Sequence, residues 1–404
     1  MNPSLNYDKR DPKFILLGKI FKSIENKRAR DIYTRNGIKK RGMMVICLKI
    51  IFITTFFDYE QSYVVDEINR DTKLKKFIGI EDPVPTAGQI YEYMGRYSPS
   101  QYNNIFNSIL KKFYNKKRRS RDSYIVDATP VACDINIVKK YVTPERLEEL
   151  KLKMGYSTTK GYYIGFKVSM ILDKESMCPI HVLIHPGSPN DARIFEEVLE
   201  ELKRRRLIKY HDHILFDRGY YSLKNYITGI YEYKIVPIIF PRSSYSKDKI
   251  LNEMNYPLDV YHKTKHAKKL KTEIEILSKE LIKELDNWKD LKPIRGLIED
   301  FFKAAKGAFG LGEFHSYTEK SMQKNIYLCL LLTALVVQTG FKTKTKLQPL
   351  AEGIIDGRPP KKKNKKKKED KTKNHHKTVA PFKKEQKELS FTVKEQQKTL
   401  EFFL

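Results

Sequence analysis

Tyr124-Ile125-Val126-Asp127-Ala128-Thr129-Pro130 is the stretch that decides the fold. An aromatic and β-branched run that stops on a carboxylate and then a proline reads as a short buried strand with an acid at its end. Downstream, residues 162–173 and 179–185 read as two more strands, joined at 173–178 as a hairpin. Residues 186–191 (Pro-Gly-Ser-Pro-Asn-Asp) form a loop, and 192–206 has helical periodicity. Residues 213–217 then repeat the opening theme, a short strand ending in Asp217, before a helix over 222–231 and a strand over 234–240. Three antiparallel-type strands followed by alternating helix and strand predict a mixed α/β sheet flanked by helices, with the strand-end acids on one rim.

Upstream, residues 11–117 are mostly helical, with apolar residues at three-and-four spacing over 38–57 and 101–113. The Asp82-Pro83-Val84-Pro85 stretch interrupts this pattern, and Thr86 is placed to cap a helix through Met94. A basic patch, Lys116, Lys117, Arg118, Arg119 and Arg121, leads directly into the first strand. Past the sheet, residues 268–286 form a charged helix whose apolar positions make one face, and 291–310 form another with Pro293 in its first turn. Residues 321–340 read as a buried helix. After Gly340 the composition collapses to Lys, Pro, Asn and Glu, which predicts a disordered basic tail.

The 404 residues leave room for two or three units at roughly 150 residues per domain. Net charge is +29, and residues 341–404 hold +11 of it with 19 basic against 8 acidic side chains. The excess therefore runs through the folded part too, which favours a polyanionic partner. The four cysteines are scattered with no zinc spacing, so a zinc site and a disulfide framework are both unexpected. The polar N-terminus reads as lacking a signal peptide, and the two most apolar runs fall short of the ~20 residues a bilayer needs. Residues 43–57 are interrupted by Lys49 and 326–337 number only 12. The expectation is a cytoplasmic, nucleoid-associated protein with no membrane partner.

Transfer at a phosphodiester needs hard divalent cations, because charge develops on both attacking and leaving oxygens, and two ions ~3.5–4 Å apart can clamp both. Mg²⁺ or Mn²⁺ takes oxygen ligands, so converging carboxylates suffice. Asp127 and Asp217 end two strands, and Glu299 lies on a helix that can be laid across them. Asp134, Asp191 and Glu313 compete for the role. Asp191 is explained by capping the helix that follows it, and Glu313 lies past Gly310 and Gly312, off the predicted helix.

The blocks Val126-Asp127-Ala128-Thr129, residues 160–167 (Lys-Gly-Tyr-Tyr-Ile-Gly-Phe-Lys), residues 186–191 and Phe216-Asp217-Arg218-Gly219-Tyr220 resemble, in order, those of insertion-sequence transposases of the DDE type. In that family a helix reads Tyr-x2-Arg-x3-Glu-x6-Lys. Here Arg295, Glu299 and Lys306 keep the spacing, while Lys292 stands at the tyrosine position. Arg295 and Glu299 form an i, i+4 pair, and Lys306 follows two turns later on the same side. The resemblance implies an RNase H-like catalytic domain over 122–340, a helical DNA-binding or dimerisation domain over 1–121, and a tail over 341–404. It implies Asp127, Asp217 and Glu299 as catalytic metal ligands for two ions, with Arg295, Lys306 and the basic patch on DNA. The partners it implies are double-stranded transposon ends and target DNA, bound by a homodimer. Two alternatives share these residues: an inactive DNA-binding derivative, and a structure-specific nuclease without strand transfer.

The chain closes on Gln397-Lys398-Thr399-Leu400-Glu401-Phe402-Phe403-Leu404. Gln397, Leu400, Phe403 and Leu404 resemble the peptide by which replication proteins bind the sliding clamp, with apolar anchors in a pocket and the glutamine on nearby backbone.

Overall fold

The computed structural model describes residues 5–114, 123–158, 161–241, 246, 248–252 and 265–355. Seven helices come first: α1 (Pro12–Glu25), α2 (Lys27–Arg35), α3 (Arg41–Phe57), α4 (Gln61–Arg70), α5 (Thr72–Ile78), α6 (Ala87–Gly95) and α7 (Pro99–Tyr114). Thr86 caps α6 as the sequence predicts, and Gln89 completes a capping box by accepting from the Thr86 amide. The apolar run around residue 50 is α3, a core helix. Lys49 within it is buried but paired, its Nζ 2.5 Å from Glu25 and 2.8 Å from the Ile78 carbonyl oxygen. Among the described residues no single helix is long and apolar enough to cross a membrane.

The sheet comprises β1 (Ser123–Cys133), β2 (Lys153–Ser157), β3 (Gly161–Asp173), β4 (Cys178–Pro186), β5 (His213–Phe216), β6 (Val236–Ile239) and β7 (Glu313–Phe314). β3 runs antiparallel to β1, β2 and β4, whereas β5 runs parallel to β1 and β6 parallel to β5. β1 is thus flanked by an antiparallel and a parallel neighbour, the RNase H-like arrangement expected. Strand β2, the short β7 and the helices α8 (Ile135–Tyr141) and α9 (Pro144–Glu149) between β1 and β2 were not expected.

Strand parity sorts β1 into two faces. Ile125, Val131 and Cys133 join one apolar cluster, and Tyr124 and Val126 the other. The second cluster is covered by α10 (Asp191–Arg204), α11 (Leu223–Tyr231) and α12 (Lys265–Asp286). In α12 the buried positions Ile274, Leu277, Leu281 and Leu285 carry the apolar face, while Ile276 is exposed rather than part of it. The first cluster runs without a break from the N-terminal helices through the sheet to α13 (Trp288–Phe309) and α14 (Glu319–Gln338). Helix α13 starts three residues earlier than predicted, so Pro293 sits in its second turn, and it stops at Gly310 in the left-handed region with φ +74°.

One expectation needs correcting. The tail was to be disordered from residue 341, yet α15 (Lys344–Ala351) is a helix that buries Leu347 and Leu350 in the first cluster. The Lys-rich remainder from 356 on lies outside the described residues.

Candidate active site

The parallel register of β1 and β5 pairs Tyr124 with Ile214, Ile125 with Leu215 and Val126 with Phe216. Asp127 is the next residue along β1 and Asp217 the first past the end of β5, so two acids 90 positions apart come side by side. β1 runs on to Cys133, with Asp127 paired to Met170, so Asp127 stands in mid-strand and not at the strand end that the sequence suggests. By parity Asp127 lies on the Ile125 face, the one α13 covers. Helix α13 brings Arg295 and Glu299 there one turn apart.

The Arg295 guanidinium joins all three acids. Its Nη2 is 3.0 Å from Asp127 Oδ2 and 3.3 Å from Asp217 Oδ1, and its Nη1 is 2.5 Å from Glu299 Oε1. Side-chain exposure rises from 14% at Asp127 through 30% at Asp217 to 41% at Glu299, so the cluster has a closed floor and an open rim. Asp127 also accepts a hydrogen bond from the Ala128 amide at 2.8 Å. Burial pushes the Asp127 carboxyl up to about 7 against the pull of Arg295, and Asp217 adds to the rise. Burial works against the Arg295 charge, yet Asp127, Asp217 and Glu299 hold its pKa above the ordinary value. The donor set is oxygen only, and three carboxylates face one guanidinium, whose buried Nε finds no hydrogen-bond acceptor among the described residues. Oxygen donors are what hard divalent ions take, but with Arg295 bonded to each acid no group of three acidic, His or Cys side chains among the described residues is placed to hold an ion as it stands.

Asp191 does something other than cap its helix. Asn190 is the cap, its Oδ1 accepting from the Ala192 amide at 2.9 Å. Asp191 Oδ1 instead lies 2.7 Å from Lys167 Nζ, which also donates to the Pro189 carbonyl at 2.8 Å. A side chain on Gly219 would meet Asp191 Oδ2 at 2.8 Å, so the Arg218–Tyr220 turn that follows Asp217 packs directly on this carboxylate. The fully buried Tyr220 ring completes the layer, its hydroxyl held well above its ordinary pKa by burial and then by Asp191 and Asp127. Sequence reasoning missed this support under Asp217. Gly219 was its signal, since a glycine beside a strand-end acid marks close approach of another group.

Asp134 caps α8 through the Asn136 amide and lies 2.8 Å from His315. Glu313 pairs by its backbone with Ala132, in β7 and off α13. Asp134 is thus engaged away from the cluster. Lys306 lies two turns after Glu299 on α13, half-buried, and Lys292 at the position of the family's tyrosine is exposed. Lys116, Lys117, Arg118, Arg119 and Arg121, like Gln397, Leu400, Phe403 and Leu404, lie outside the described residues.

A family model described as a transposase DDE domain matches residues 118–335. No curated protein and no solved structure matches the chain.

Proposed function

Because the chain belongs to the transposase DDE domain family, we propose that it is a DNA transposase, cutting transposon ends and joining them to target DNA at the carboxylate cluster. The observation that carries this reading is the meeting of Asp127, Asp217 and Glu299 on one guanidinium, from three separate elements. Asp127, Asp217 and Glu299 would hold two Mg²⁺ or Mn²⁺ ions once Asp127, whose carboxyl burial raises to about 7, has given up its proton. When bound, such ions supply Lewis acidity to the attacking and leaving oxygens.

The chain's own groups do the rest. The middle of β1 and the end of β5 beside it fix Asp127 and Asp217 on a rigid sheet, and the packing of Asp191 on Gly219 holds the turn after Asp217 in place. Arg295 presents a planar fork that fits a phosphate as well as a carboxylate, so it passes from the acids to a phosphate oxygen as DNA enters. Lys306 sits two turns along the same helix to meet the strand beyond. Water attacks a phosphodiester and a 3′-hydroxyl leaves. That hydroxyl then attacks a target phosphodiester and displaces a second 3′-oxygen. Two ends processed together call for a homodimer, and the terminal peptide around Leu400 and Phe403 would tie the complex to a sliding clamp.

Asp127→Ala, Asp217→Ala and Glu299→Ala should each lower cleavage by about a thousandfold. Charge stabilisation worth several kcal/mol is lost, at tenfold per ~1.4 kcal/mol. Duplex binding in a gel-shift assay should persist. Full activity in any one variant removes that residue from the cluster. Joined products on a substrate with terminal inverted repeats distinguish transposition from simple nuclease action.

A further inference from the structure

Two lysines in the described structure are almost wholly buried, and they differ in one respect. Lys49 has a carboxylate and a carbonyl on its ammonium. Lys324 on α14 is 8% exposed and has neither among the described residues; its Nζ lies 5.0 Å above the centroid of the Tyr91 ring of α6. A cation–π contact returns only part of what an ammonium loses on leaving water. Burial, followed by the charge of Lys320, accordingly lowers the Lys324 pKa.

The Lys324 ammonium, with no carboxylate or carbonyl partner among the described residues, lines a cavity of about 220 Å³ between α6 and the start of α14, whose open side reaches its Nζ. Tyr91, Tyr97, Lys320 and Ser321 line it as well. The nearby acids are engaged elsewhere: Glu92 lies 2.5 Å from Arg96, and Glu319 accepts from Gln323 at 2.9 Å and lies 3.9 Å from Lys151. The cavity also opens on the first turn of a 20-residue helix, whose dipole favours an anion. It is smaller than the ~300–1,000 Å³ of small-molecule sites, so a phosphate group with its waters fits where a nucleotide does not. Neither α6 nor α14 carries a member of the carboxylate cluster.

We propose that this cavity binds a phosphate group, namely a backbone phosphodiester of DNA gripped by Lys324 and Lys320 outside the active site. The choice of DNA over free orthophosphate rests on the function proposed above, whereas the phosphate chemistry rests on the cavity alone. A second point of attachment on the N-terminal side would fix the register of the duplex relative to the carboxylates, because phosphate contacts set position without reading bases.

The test measures duplex binding across a salt series by full-length wild type, Lys324→Met, Lys320→Gln and Lys324→Arg, with a thermal melt of each. Losing one phosphate contact should weaken binding severalfold and flatten the log affinity against log salt slope by about 1. Lys324→Met should show this loss while melting at about the wild-type temperature, since no carboxylate or carbonyl among the described residues pairs with the charge it removes. Lys324→Arg should keep the wild-type slope. A merely structural Lys324 would instead lower the melting temperature and leave the slope alone, which overturns the proposal. If Lys324→Met fails to fold, the exposed Lys320→Gln decides, and an unchanged slope there also overturns it. Orthophosphate that raises the wild-type melting temperature but not that of Lys324→Met, with unchanged DNA slopes, assigns the cavity to the free anion and overturns the DNA assignment. Cleavage is read separately on the same proteins, so loss of the transposase reading shows as absent cutting with the slopes intact.

Discussion

Burial drives the His181 imidazole on β4 down to about 4; Arg205 pushes the same way, while Glu201, 3.5 Å from Nε2, pulls against them. The ring is 3% exposed and its Nδ1 has no hydrogen-bond partner among the described residues, so the folded chain holds it neutral. An unfolded histidine titrates near 6.5. Between about 6.5 and 4 the unfolded chain therefore binds the extra proton, and stability falls as pH falls through that window. At about 1.4 kcal/mol per unit the loss reaches at most ~3 kcal/mol. The drop in melting temperature from pH 7.5 to 5 should shrink in His181→Gln, and an unchanged drop would assign the acid sensitivity elsewhere. At this scale the sequence pointed to Asp217, Arg295 and Glu299 by local patterns, a strand-end acid and an i, i+4 pair, and to Asp127 by taking the middle of β1 for its end. It concealed the partner of Asp191. Asn190 and Asp191 are both good caps, and only the distance to Lys167, set by the β3–α10 packing, assigns the cap to one and the ion pair to the other.

Helix α13 is held at two places along its length. Near its start Arg295 ties it to the rim of the sheet, and near its end Gly307 lets α15 approach closely. A Cβ on Gly307 would overlap the Ala351 carbonyl oxygen, a backbone atom with no freedom to swing aside. Gly307→Ala should therefore cost about 1–3 kcal/mol, as overpacking does, and free α15 from its seat. Faster proteolysis around residues 344–355 measures it, and cutting at the wild-type rate would show that the interface yields without cost. The long elements were legible because their apolar residues repeat often enough to show a period. In α15 only Leu347 and Leu350 are buried, and two anchors among lysines and threonines make no period. Strand β2 was missed for a related reason: Lys153–Ser157 has one buried residue, and it is a glycine.

On the scale of the whole molecule the N-terminal helices and the sheet share one interior. Phe106 of α7 meets Tyr327 of α14 at 5.9 Å between ring centroids, and Phe56 of α3 stacks on Phe309 of α13 at 5.9 Å. Residues 123–355 made without the helices that precede them should expose this apolar face and self-associate. Size-exclusion chromatography with a thermal melt checks it, and a monomeric fragment with a cooperative transition would show two separable cores. The sequence showed a change of regime near the basic patch at 116–121 but not this continuity. An apolar helix face looks the same whether its partner is another helix of the bundle or a sheet two hundred residues away. The shared interior bears on how such a chain can change over generations. An enzyme whose recognition module sits on a linker can exchange that module in one recombination and keep its chemistry. Here an exchange of the N-terminal helices would strip the packing from Phe309 and Tyr327, on the helix that carries Glu299 and the one that follows it. The two halves therefore constrain each other, and a change in either has to keep these contacts.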